Sequence, residues 1–301
     1  MKRLLCLWLC LLPPLAAAER LPLWEVGVGG GLLRLPDYRG AGHARTYPFP
    51  LVLPFYRGRY LRSDEQGVRG ELLRSRRLRL DFSVDGGVPV DSDDNPQRRG
   101  MPDLDATLQL GPALNVKLWE GEAPRRSLVL FLPLRAVWRA DTDGLSAVGA
   151  TFSPQLTYHR RVALAGCPWK LGLTAGLEFG DEGFHDYYYQ VAPAYAAAGR
   201  PAFDARGGFA GYRFIGTFHC RYGDKWISLF GRYDRVDGAV FEDSPLVGRR
   251  DGLTVGFLVS WMIWRSRRQV EVVDWNLGAC PSIRTGGART GTCARFNGVS
   301  H

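Results

Sequence analysis

Past its first eighteen residues, this chain of 301 has no run of 18 apolar residues, so it offers no candidate for a membrane-crossing helix. Cysteine is sparse. Cys6 and Cys10 fall in the opening segment, and Cys167, Cys220, Cys280 and Cys293 match no zinc-ligand spacing. There is no Gly-x-Ser-x-Gly turn to present a serine nucleophile, and no cysteine sits in a recognisable basic setting. Gly27-Val28-Gly29-Gly30-Gly31 shares only its glycine content with a phosphate loop, since no helical pattern comes after it; small residues for close strand packing explain it. Cys10 follows Leu9 rather than a small residue, which argues against a lipoprotein box. No cofactor, metal or nucleic-acid site is expected.

The opening residues themselves read as a signal peptide. Lys2 and Arg3 precede the apolar stretch Leu4 to Leu12, and Ala16-Ala17-Ala18 supplies small residues for cleavage. Removing residues 1–18 lowers the formal net charge from +9 to +7, the difference being Lys2 and Arg3. An exported chain meets an oxidising compartment, where the four remaining cysteines can pair in three ways. Cys167 and Cys220 lie at the same rim of consecutive expected strands, so a bridge is feasible if those strands pair; Cys280 and Cys293 could close a small loop.

Strict alternation of apolar and polar residues dominates the rest of the chain. Ala106, Leu108, Leu110, Pro112, Leu114, Val116 and Leu118 share one parity, and Thr107, Gln109, Gly111, Ala113, Asn115 and Lys117 the other. A strand sends these two sets to opposite faces, one to oil and one to water. Twelve segments read as strands: 24–34, 47–56, 59–65, 68–75, 78–86, 105–119, 127–140, 147–160, 169–180, 209–222, 225–237 and 252–264. Connections after even-numbered strands are short; those after odd-numbered strands include the four longest. This predicts an all-β fold, a transmembrane antiparallel β-barrel of about 12 strands with long outer loops and short periplasmic turns, in the cell outer membrane. A soluble β-sandwich or solenoid is the alternative. The expected division is 1–18 signal peptide, 19–264 barrel and 265–301 irregular C-terminal tail.

Several residues carry further expectations. Pro48, Pro50 and Pro54 share one parity, so their missing N–H groups face one neighbouring strand and leave a weak lateral seam. Inward positions mix charges, among them Arg79, Asp81, Lys117, Arg135, Glu178, Arg213 and Asp234, which should pair and fill the lumen; a narrow solute pore is the alternative. Trp119, Trp138, Trp169, Tyr212, Tyr222, Trp261 and Trp264 sit near strand ends, as interfacial girdles do. Asp91-Ser92-Asp93-Asp94 and His185-Asp186 are the only catalytic-looking groups; turn chemistry explains the first as readily, and adjacency does not make the second converge. The periplasmic rim is basic: Arg76, Arg77, Arg125, Arg126, Arg160 and Arg161 are its candidate docking residues for anionic partners.

Seven separate segments resemble the MipA/OmpV family of outer-membrane proteins. They are Trp24-Glu25-Val26-Gly27-Val28-Gly29, Leu35-Pro36-Asp37-Tyr38-Arg39-Gly40, Asp85-Gly86-Gly87-Val88-Pro89-Val90-Asp91-Ser92, Arg99-Gly100-Met101-Pro102-Asp103-Leu104-Asp105, His185-Asp186-Tyr187-Tyr188-Tyr189, Tyr195-Ala196-Ala197-Ala198-Gly199-Arg200-Pro201 and Val240-Phe241-Glu242-Asp243-Ser244-Pro245-Leu246. The similarity runs from about 22 to 264. It implies a barrel without enzymatic activity that acts as a scaffold. The implied partners are a lytic transglycosylase and a bifunctional penicillin-binding protein, with outer-membrane lipid around the wall. Porin-like members offer a second reading, a narrow solute channel; a rim hydrolase of omptin type is a third. No catalytic residues come with the resemblance. The 37 residues after Trp264 depart from a family pattern that ends on the aromatic closing the last strand.

Overall fold

The computed structural model describes residues 19–64, 67–121, 125–142, 144–272 and 274–277. The expected signal peptide, Cys280 and Cys293 lie outside them. The strands are β1 (Glu19–Pro22), β2 (Trp24–Pro36), β3 (Ala44–Arg57), β4 (Leu61–Asp64), β5 (Gly67–Arg74), β6 (Leu78–Gly87), β7 (Ala106–Gly121), β8 (Arg126–Asp141), β9 (Gly144–Phe152), β10 (Gln155–Leu164), β11 (Cys167–Gly180), β12 (Gly208–Tyr222), β13 (Lys225–Arg235), β14 (Asp251–Arg265) and β15 (Gln269–Val272); α1 is Glu182–Tyr189.

Apart from β9 and β10, consecutive strands from β2 to β14 pair antiparallel, and β14 pairs back onto β2 from Val255↔Arg34 to Arg265↔Glu25, which closes the ring. The segments β9 and β10 are two halves of one wall strand, bent at Ser153-Pro154. One half of β8 pairs with β9 and the other with β10. Counted so, the barrel has twelve strands, and each expected segment coincides with one of them.

Parity places the side chains as the alternation required. On β7, Thr107, Ala113, Asn115 and Lys117 are buried in the lumen while Leu114 and Leu118 are exposed on the outside. Leu32, Val52, Leu134, Leu173, Phe214, Leu253 and Phe257 continue that outer apolar surface around the ring. Exposed Trp24, Tyr56, Trp119, Tyr222, Trp261 and Trp264 stand at one end of it, the pattern of an interfacial girdle. Gly29 and Gly31 bring β2 close to β14: a Cβ at either would overlap the backbone of Val259 or Phe257. Cys167 and Cys220 form a disulfide between the adjacent strands β11 and β12, with Cα atoms 6.3 Å apart.

The two ends of the barrel differ. At the turn end, connections such as 58–60, 75–77, 165–166 and 223–224 are tight. At the loop end stand 37–43, 88–105, 181–207 and 236–250.

Strand β3 is regular despite its prolines, and it pairs with β2 along its length from Trp24↔Tyr56 to Pro36↔Ala44. On its other side it pairs with β4 only at Tyr56↔Ser63 and Arg57↔Arg62. Arg57 N donates toward β2, at Leu23 O, whereas Pro54 O accepts from Ser63 Oγ on β4. Even-numbered residues of β3 therefore face the short β4, and Pro48 and Pro50 fall where the ladder has already ended.

The tail departs from the expected irregular form. Gln269–Val272 is a strand, pairing with β1 from Pro22↔Gln269 to Glu19↔Val272, and Trp275, Asn276 and Leu277 are buried. Polar composition hid this, because four residues of ladder are too short to show an alternation and the burial depends on what the barrel mouth offers.

Candidate docking rim

The six rim arginines all lie at the turn end, in three different settings. Arg76 and Arg77 are exposed on the turn between β5 and β6. Arg126 and Arg160 are opposite one another in the β8–β10 ladder and are also exposed; the Arg126 guanidinium lies 5.1 Å from the centre of the Trp119 ring. Arg125 and Arg161 are joined by a backbone bond from Arg161 N to Arg125 O, and both turn toward the chain's own tail. Arg125 donates to Leu277 O, and Arg161 is 3.7 Å from the Asp274 carboxylate. Exposed Arg59, Arg267 and Arg268 extend the basic rim.

The tail sits across the turn-end mouth. Lys170 Nζ is 3.0 Å from Asp274 Oδ2. Burial alone would raise the pKa of this carboxyl, but Lys170 and Arg161 hold it far below the usual carboxylate range. Trp275 Nε1 donates to Ser75 O at 2.9 Å, and Arg79 and Lys117 lie 4.7 and 4.9 Å from the indole centre. Asp274, Asn276 and Leu277 form the floor of a luminal cavity of about 430 Å³ that Thr157, His159, Thr217 and Phe230 help to line.

In the wall of that cavity and beyond it the inward charges are paired, as expected. Arg79 bonds Asp81 at 2.8 Å, with Asn115 beside both. Arg213 bridges Glu178 and Asp234, each at 3.1 Å, while Arg39 and Arg232 also reach Asp234. Near the turn end, fully buried Glu25 is held by Arg57 and Arg221.

The loop end is closed by a folded cap. Tyr38, Ala41, Val90, Leu104, Tyr189, Ala205, Val236, Ala239 and Phe241 bury one another in a small apolar core. Tyr189 stacks on Phe241, with centres 3.6 Å apart. Tyr38 OH donates to Leu246 O, and Tyr189 OH to Arg39 O. Asp37 gathers Asn95, Arg45 and His43, and Arg98 reaches the carbonyls of Tyr188 and Pro102.

The catalytic-looking groups belong to this cap. Helix α1 is capped by Asp181, whose carboxylate accepts from Phe184 N, and it turns His185 inward to full burial. His185 Nδ1 donates to Arg206 O at 2.6 Å, and the ring lies edge-on to Phe241 at 4.9 Å. Burial pushes the His185 pKa below its ordinary value. Burial, with Glu182 and Asp204 nearby, raises that of Asp186. Asp93 and Asp91 accept local backbone N–H groups, and Asp94 pairs with Arg45. Among the described residues no group of three His, Cys, Asp or Glu is placed to hold a metal ion.

Sequence reasoning missed the tail as a site. Its one signal was Asp274-Trp275-Asn276-Leu277, an acidic, aromatic and apolar cluster in a stretch otherwise rich in Gly, Ser, Thr and Arg. A family model described as MltA-interacting protein MipA matches residues 28–263, most of the chain. No curated protein matches it.

Proposed function

The chain belongs to the MltA-interacting protein (MipA) family, and on that premise we propose that it is an outer-membrane scaffold whose turn end faces the periplasm and docks murein enzymes. The family's description names an interaction with MltA, a lytic transglycosylase, and a transglycosylase of that kind is the partner proposed here. A bifunctional penicillin-binding protein is the second, so that cleavage and synthesis of the wall are held together. The scaffold supplies orientation and local concentration, with no chemistry of its own.

The contrast between the two ends carries this reading. The loop end folds into its own cap and exposes a mixture of signs, with Asp93, Asp94 and Glu182 beside Arg99, Arg249 and Arg250, whereas the turn end presents the arginines Arg76, Arg77, Arg126 and Arg160 to solvent. Basic side chains at a rim attract acidic partner surfaces and speed their encounter. Reversing these four arginines to glutamate should lower recovery of the transglycosylase, in crosslinked pull-downs from intact envelopes, by roughly tenfold or more. Undiminished recovery would remove the rim from the docking surface. A narrow solute channel is the second reading. The tail across one mouth and the packed cap over the other weigh against it. Steady conductance of the full chain in planar bilayers, altered by Arg135 or Glu178 substitutions, would restore it.

A further inference from the structure

The turn-end mouth already holds a peptide, namely residues 274–277 of the same chain. Its recognition groups come from the wall: Arg79 on β6, Lys117 on β7, Arg125 before β8, Arg161 on β10 and Lys170 on β11. They contact three features of the tail. Lys170 and Arg161 take the carboxylate, Arg79 and Lys117 flank the indole, and Ser75 O and Arg125 engage the indole N–H and a backbone carbonyl. The Asp274 carboxylate also accepts N–H bonds from Asn276 and Leu277, which fixes the segment as a tight turn. Outside the mouth, the tail is supported among the described residues by the four-residue ladder between β1 and β15, which continues the β2–β14 pairing through Ser266 N to Trp24 O and Leu23 N to Arg268 O and ends at Val272, short of the socket. The socket is built into the barrel wall, whereas its present occupant lies beyond the last paired residue of the ladder and is seated by side-chain contacts.

We propose that this socket is a binding site for an acidic–aromatic peptide segment of a docked partner, and that the tail is its internal competitor. The assignment rests on the docking role above and gives it a site and a ligand chemistry. A carboxylate one residue before an aromatic ring, in a turn that exposes a backbone carbonyl, is what the socket reads. Partner binding then requires the tail to leave, so the free scaffold is self-blocked.

The test uses full-length protein in detergent micelles and a fluorescein-labelled peptide with the sequence of residues 269–277. The Asp274→Lys/Trp275→Ala double variant, its tail repelled by Lys170 and Arg161, should bind the peptide at least tenfold more tightly than the native chain. A peptide with Asn and Ala in place of its Asp and Trp should not bind. Equal binding by both proteins, or indifference to those two side chains, overturns the proposal. Lys170→Ala leaves the tail sequence intact and gives a second measure. Chymotrypsin should cut after Trp275 several-fold faster in it than in the native chain, and an unchanged rate also overturns the proposal. Transglycosylase pull-downs separate the two readings. A peptide bound by the double variant with no enzyme recovered by either protein leaves the socket standing and removes the docking role. Enzyme recovered equally by both, with no peptide bound, does the reverse.

Discussion

The two mouths of one lumen are closed by different physics. Four loops meet over the loop end and bury a core around Tyr38, Tyr189 and Phe241, with Asp37 and Arg98 each satisfied by several partners. Apolar burial of that kind is non-directional and unaffected by screening of charge. At the other end, four tail residues bury only Trp275 and Leu277 as apolar groups and are held in addition by ion pairs, cation–π contacts and a few hydrogen bonds. Contacts between charges weaken as salt is added, with the screening length falling from roughly 10 Å at 0.1 M to roughly 3 Å at 1 M. One closure is part of the fold; the other can be released without unfolding it.

The sharpest way to break this comparison is by truncation of one aromatic at each end. Phe241 is fully buried, so Phe241→Ala should cost about 3–5 kcal/mol in urea titrations of the barrel. Trp275→Ala removes a buried indole, its bond to Ser75 O and cation–π contacts worth about 0.5–2 kcal/mol each, but the loss falls on the seating of the tail and should leave the global midpoint of the barrel nearly unchanged. Equal losses would make the tail as integral as the cap.

Acid and salt should then act on opposite ends. His185 is kept neutral in the cap, its pKa lowered by burial. The unfolded histidine takes its proton near pH 6.5 and the folded one does not, so cap stability falls as pH drops below about 6.5. The Asp274 pKa is depressed as well, so its contribution is full above the ordinary carboxylate value of about 4 and is lost only as pH falls below that. At pH 5, hydrogen exchange in 181–207 should quicken while chymotrypsin cleavage at Trp275 stays slow. At neutral pH, 1 M salt should speed the cleavage and spare the exchange. The same pattern under both treatments would erase the distinction.

The smallest effect concerns β3. Its odd-numbered amides face β2, and Thr46 and Val52 face the side where the ladder with β4 has ended. Thr46 and Val52 should exchange faster than Tyr47, Phe49, Leu51 and Leu53. Uniform protection along the strand would remove the seam that the prolines mark.

Particular residues show what could be read beforehand. The parity of 106–118 announced both the outward-facing leucines and the buried Asn115 and Lys117, because a strand's two faces follow from its local geometry alone. Cys167 and Cys220 were readable as a feasible pair once consecutive strands were assumed to be neighbours. His185 could not be placed. Adjacent Asp186 suggested chemistry, yet a short helix capped by Asp181 turns the imidazole into an apolar core assembled from four distant loops. The six rim arginines share a level in the sequence scheme, but which of them reach solvent depends on the tail that Arg125 and Arg161 hold.

Alternation of period two, tight turns and the three prolines fixed the strands, their faces and the weak edge of β3, since each is a property of a residue and its immediate neighbours. Closing the ring decided the rest. Only the register of twelve strands brings Arg79, Lys117, Arg161 and Lys170 around one mouth, and only there does Asp274-Trp275 find the charges that offset the cost of burying it.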